Sequence, residues 1–279
     1  MQPPTPIGKR PANAFAEKAT VWVHWLLLIL LAAAGALVLA ANGLALDLPG
    51  KAGWPEALLL LLATASTITA LARQLPLQNV LLAAFVIAVM GGAVHAFGVK
   101  LGIPFGPFLL GAEAGPQLFK TLPWAMPLIW VVALLNSRGV ARLILRPWRK
   151  VRTYGLWLIG LTTFLAMLFD LALDPFATRV KHYWLWLPTK FPVTWQGAPL
   201  VNFFSWAAVS LLILVFVTPT LINKNPVRRP PDFHPLAVWL GAILCFGILS
   251  APHGMWPAVV LDGAMAVAVG ALAIRGGRW

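Results

Sequence analysis

Asp170 and Asp174 stand four residues apart in Phe169-Asp-Leu-Ala-Leu-Asp-Pro-Phe176, inside an otherwise apolar run. That spacing puts both carboxyls on one helix face, a turn apart. A charge at mid-bilayer costs about 2.5–3.5 kcal/mol on insertion scales. Two carboxylates this close also resist joint ionisation, so one of the pair is expected to keep its proton. A protonated acid beside a carboxylate suits acid–base chemistry on a neutral substrate. The competing reading is structural. The helix would end at Asp174, because a residue before proline is disfavoured in helical geometry. The carboxyls would then cap that end or pair with Arg179 or Lys181.

Four more polar groups sit where chemistry is conceivable. His95 closes an apolar run in Gly91-Gly-Ala-Val-His-Ala-Phe-Gly98, and Asn202 enters one in Pro199-Leu-Val-Asn-Phe-Phe-Ser-Trp206. Glu113 follows a Pro-rich loop, and Asp262 lies within a late apolar run. Each has a plainer role too: His95 and Asn202 as links between helices, Glu113 facing solvent, Asp262 as a packing partner. Aromatic residues gather in Gly102-Ile-Pro-Phe-Gly-Pro-Phe108, in His182-Tyr-Trp-Leu-Trp186 and in Phe191-Pro-Val-Thr-Trp195. Taken singly, these fit an interfacial belt. Two aromatic loops on one face, beside buried carboxyls, point to a pocket for an apolar ligand. The five His are scattered and Cys245 is the lone cysteine. No metal, haem or redox motif follows from them, and there is no P-loop or dinucleotide fingerprint.

The elements that must carry these groups are membrane helices. Of 279 residues, 60% are hydrophobic and 10% charged, against about 25% charged in soluble domains. Eight apolar runs are long enough to span, at roughly 20–41, 56–73, 77–97, 117–136, 153–174, 199–222, 234–250 and 255–274. The predicted fold is an all-α polytopic integral membrane bundle: a tail at 1–19, one transmembrane domain at 20–275 and a tail at 276–279. Loops 98–117 and 174–198 are too long to be mere connectors. The first run exceeds a cleavable signal core and reads as a retained span. Pro123 and Pro127 fall inside the fourth run, so a kinked or partly re-entrant segment is expected there.

The net charge is +13. The bases cluster between apolar runs, which makes them topology signals and contacts for anionic lipid rather than a nucleic-acid surface. With the N-terminus inside, only Lys51, Lys100, Lys120, Arg179, Lys181 and Lys190 of the 21 Lys and Arg fall outside. That bias predicts both termini in the cytoplasm and both long loops on the outer face.

Four segments in this order resemble one known family: Gly102 to Phe108, Phe169 to Pro175, Tyr183 to Trp186 and Gly197-Ala-Pro-Leu-Val-Asn-Phe-Phe-Ser-Trp206. They are similar to the membrane carotenoid biosynthesis proteins, which include carotenoid 1,2-hydratases of γ-carotene and bacterioruberin synthesis. The likeness covers about residues 90–222. It implies a prokaryotic cytoplasmic-membrane enzyme, a carbon–oxygen hydro-lyase acting on an acyclic carotenoid and water with no cofactor. It is also compatible with association with other carotenoid enzymes. Protonating a trisubstituted C=C gives a tertiary carbocation that water captures. Under the resemblance, Asp170, Asp174, His95 and Asn202 form the catalytic set. Phe105, Phe108, Glu113, Tyr183, Trp184, Trp186 and Trp206 line the substrate site. Two alternatives stay open at this level: a carotenoid- or lipid-binding or transport protein, and another end-group reaction such as cyclisation.

Overall fold

The computed structural model describes residues 11–44, 46, 53–189, 193–222 and 230–279. Eight helices run in chain order: α1 (Pro11–Gly43), α2 (Trp54–Ala72), α3 (Leu77–Leu101), α4 (Ala125–Ile144), α5 (Tyr154–Pro175), α6 (Leu200–Val217), α7 (His234–Ser250) and α8 (Trp256–Gly277). All eight, with short turns extending α5, α6 and α7, are long and apolar enough to cross a membrane. The chain is therefore a polytopic membrane bundle. Of the residues named in the sequence reading, Lys51, Lys190, Phe191 and Pro192 lie outside the described residues, as do the N-terminal ten.

Local chemistry sets several boundaries. Pro55, Pro235 and Pro257 fall in the first turns of α2, α7 and α8, where a missing N–H costs no helix bond. Gly102 ends α3 in the left-handed region (φ 68°) and returns its N–H to the Gly98 carbonyl at 2.8 Å. The tight turn between α2 and α3 is held at Gln74, whose amide donates to Asp232 at 2.6 Å.

Helix α4 is the centre of the bundle and packs against α2, α3, α5, α7 and α8. Its apolar window is 72% buried, against 17% for α1. A helix facing protein rather than lipid can carry polar groups, and α4 carries Asn136, Ser137 and Arg138. Asn136 donates to Thr67 of α2 at 2.9 Å, and Arg138 donates to the Leu221 carbonyl beyond α6 at 3.0 Å. Helices already solvated by lipid gain little from apolar burial, so close packing at small residues matters more. A Cβ on Gly91 would overlap the Trp130 ring, and one on Gly139 would overlap Pro235.

Two expectations are corrected. The fourth helix starts at Ala125, not at 117, because residues 117–123 form a small antiparallel ribbon of β2 (Gln117–Leu118) and β3 (Leu122–Pro123), which follow β1 (Phe108–Leu110). Pro127 then falls in the first turn of α4, where it neither kinks nor breaks the helix. The tail to residue 19 carries helix as well, from Pro11, and the apolar span begins at Ala19. Helix α5 does not stop at Asp174 but runs through Pro175 into a wide π turn, Phe176–Val180. Pro175 has no N–H for the Leu171 carbonyl one turn back. The indole N–H of Trp195 donates to that carbonyl instead, at 3.3 Å.

Candidate active site

The two long loops meet over the end of α5. Strand β1 pairs antiparallel with β4 (Trp184–Trp186), setting Phe108 opposite Trp186 and Leu110 opposite Trp184. Side chains alternate along a strand, so Phe108, Trp184 and Trp186 turn inward while Leu109 and Leu185 point out. Gly111 follows β1 because a Cβ there would collide with the His182 carbonyl. Farther back, Ser205 of α6 donates to the Pro104 carbonyl at 2.7 Å and ties the loop after α3 to the bundle. The last two strands, β5 (Thr194–Trp195) and β6 (Ala198–Pro199), lead directly into α6.

Beneath the ribbon lies a small cavity lined by His95, Phe108, Met126, Asp170, Asp174, Trp184, Trp186, Asn202 and Trp206. The centre of a water molecule can occupy about 10 Å³ of it, which suits roughly one water. Asp170 is 1% exposed and Asp174 0%. Asn202 bridges them: its Nδ2 donates to Asp170 Oδ2 at 2.7 Å and to Asp174 Oδ2 at 2.9 Å.

The carboxyls are not equivalent. Asp174 also accepts from the indole N–H of Trp184 (3.2 Å to Oδ1) and of Trp186 (2.9 Å to Oδ1, 3.2 Å to Oδ2). Asp170 accepts from Asn202 alone among the described residues. Donors aimed at a carboxylate favour its charged form, so the donor set stabilises negative charge on Asp174 far more than on Asp170. Neither has a cation partner among the described residues. Lys181 pairs with Glu56 and donates to Asn42 at 2.5 Å, and Arg179 donates to the Gln196 carbonyl at 3.1 Å. The ion-pair reading of the acids is thereby corrected.

His95 faces the same cavity but makes no bond to either acid. Its Nδ1 accepts the indole N–H of Trp130 at 3.0 Å. Phe105 is fully buried behind it, with ring centroids 4.4 Å apart, and so supports the wall rather than lining it. Trp206 stacks on Trp130 at 3.8 Å and an interplanar angle of 12°. Glu113 is exposed on a one-turn helix, Ala112–Ala114, and does not line the cavity. Tyr183 points away too; burial, then the Glu56 and Glu113 carboxylates, push its phenol above the ordinary range, so it stays neutral.

Sequence reasoning missed Met126 and Trp130, each an apolar-looking residue in an apolar segment. For Trp130 one signal was present: the Gly91-Gly92 pair, whose missing side chains make room for the Trp130 ring and for Leu122 and Pro127. Trp184 and Trp186, read from the sequence as lining a substrate site, turn their N–H edges to Asp174. Asp262 is buried between α7 and α8, against Gly247, remote from the cavity lining.

The profile of a family described as carotenoid biosynthesis protein matches residues 56–269. A bisanhydrobacterioruberin hydratase of Haloarcula japonica is 31% identical over 124 residues, which make up 44% of this chain and 40% of that protein. No solved structure matches.

Proposed function

The chain belongs to the carotenoid biosynthesis protein family, and from that premise we propose that it adds water across the terminal C=C of an acyclic carotenoid end group. The observation that carries this reading is the unequal loading of two buried carboxyls. Three N–H groups converge on Asp174 and one reaches Asp170. A single negative charge resting on Asp174 leaves a proton on Asp170, aimed at a cavity with apolar walls.

In this mechanism Asp170 gives its proton to the less substituted carbon of the double bond, and the π electrons form the new C–H bond. The tertiary carbocation is stabilised by the Asp174 carboxylate and by the aromatic faces of Phe108 and Trp206. Water adds through oxygen, and its surplus proton passes to the carboxyl pair. The pair loses one proton and gains one, so the site is regenerated when that proton settles again on Asp170. Asn202 holds the two groups in register. Hydration also needs a water beside the acids, and the cavity has room for about one. An isoprenoid end group exceeds this space, so it enters by displacing the side chains of the β1–β4 ribbon. The long polyene then lies among lipid tails, which places the site near one interface.

The related hydratase supports this reading with its name over the part of its length that matches. We also place the chain in a prokaryotic cytoplasmic membrane with both termini inside, on the charge bias described above. The test is expression in a host that accumulates an acyclic carotenoid, grown in oxygen-18 water. The expected product carries an added hydroxyl with the label. Label arriving from O₂ would make the protein an oxygenase, and a cyclised, oxygen-free product would make it a cyclase.

A further inference from the structure

We propose that Trp130 fixes His95 in one tautomer, and that the N–H so presented holds the reacting water. The second half rests on the hydration reading; the first does not.

A helical histidine commonly turns its Nδ1 hydrogen to the carbonyl one turn back. His253 places Nδ1 3.2 Å from the Leu249 carbonyl, and His182 places its own 3.0 Å from Thr178. At His95 the Gly91 carbonyl one turn back is also in reach of the ring, but a donor meets Nδ1 as well. The group at its Nδ1 is the Trp130 indole N–H, at 3.0 Å. An indole nitrogen only donates, so Nδ1 must accept. In a neutral imidazole the hydrogen then resides on Nε2.

The surroundings leave the pair little freedom. Trp130 is fully buried and stacked on Trp206, and it occupies the space that Gly91 leaves open. Trp206 and Phe105 confine the imidazole, with centroids 6.0 and 4.4 Å from it. Turning the ring over would put Cδ2 where Nδ1 stands and leave the Trp130 N–H unpaired inside the protein, which is costly.

A donor in that place completes a water site. His95 comes from α3 and the acids from α5, and all three line one cavity with room for about one water. A water that donates to Asp174 and accepts from His95 keeps one lone pair free for the carbocation. His95 is then a hydrogen-bond donor and not the base. Trp130 is a positioning residue that acts through it.

The test uses the full chain in lipid nanodiscs with ¹⁵N-labelled histidine, the His95 signals being assigned by their loss in His95→Gln. The expected spectrum shows His95 protonated at Nε2 and bare at Nδ1. Trp130→Phe, which keeps an aromatic ring but removes the N–H, should release that tautomer and lower hydroxylated product about 10–100-fold, the factor for losing one well-placed bond. His95→Gln can accept from Trp130 and donate to water, so it should retain most activity, whereas His95→Leu should not. A wild-type His95 protonated at Nδ1 would overturn the proposal. So would equal activity of the Gln and Leu variants. If wild type yields no hydroxylated product yet shows the Nε2–H tautomer, the hydration reading and the water's role fall and the Trp130–His95 assignment stands.

Discussion

Replacing Asp170 and Asp174 by Asn, one at a time, should injure the protein in two different ways. Asn keeps the outline of Asp and one acceptor oxygen, but puts an NH₂ donor where the second oxygen was. At position 170 the bond to preserve is the 2.7 Å contact from Asn202, and an amide oxygen can still accept it. Stability should change by no more than about 1 kcal/mol. The amide cannot give up a proton, so the rate should fall about 10²–10⁴-fold, or about 2.7–5.4 kcal/mol of barrier. At position 174 both oxygens are occupied: Oδ1 by Trp184 and Trp186, Oδ2 by Asn202 with a second contact from Trp186. Either orientation of an amide aims its NH₂ at a donor, which adds a folding cost of about 1–3 kcal/mol for an unpaired buried N–H. The assay is pigment extraction from an acyclic-carotenoid host, normalised to membrane-inserted protein, with thermal unfolding of purified variants in detergent. Asp170→Asn should accumulate like wild type and make almost no hydroxylated product; Asp174→Asn should lose product and melt earlier. Wild-type product from Asp170→Asn would refute its role as the acid. An Asp174→Asn protein as heat-resistant as Asp170→Asn would refute the donor argument.

The indole edges should matter separately from the rings: Trp186→Phe, which removes a donor to a charged carboxylate, should cost about 10–100-fold in product with little loss of protein, and an unchanged yield would return Trp186 to a packing role. Gly91→Ala forces a Cβ into the Trp130 ring, whereas Gly160→Ala meets nothing within 4 Å; the first should cost about 1–3 kcal/mol of stability and the second should be neutral or gain up to about 1 kcal/mol, as ranked by melting in detergent. Reporter fusions at Gly197 and Trp279 should report opposite sides of the membrane; the same side for both would remove the eight-span topology with cytoplasmic termini.

The sequence alone determined that the chain is a bundle of membrane helices. Runs of about 20 apolar residues have no stable home in water, and their number follows from counting. It also singled out the chemistry, because a carboxyl within such a run is costly and Asp170, Asp174 and Asn202 stand out against their surroundings. That the loops before α4 and before α6 lie at one end followed from strict alternation of spans. Only the tertiary structure decided how these groups are wired. A membrane helix is apolar toward lipid and toward protein alike, so its pattern does not say which face turns inward. Asn136, Ser137 and Arg138 suit the central place of α4, but nothing local marks Trp130 as the partner of His95. Nor does anything local in Trp184-Leu-Trp186 reveal that its N–H edges serve a carboxylate, since that depends on β1 arriving from 76 residues earlier to pair with β4. Lys181, close in sequence to Asp174, goes instead to Glu56 and Asn42. The π turn after Pro175 and the distant start of α2 set that choice, and among the described residues it leaves the acid pair without a cation.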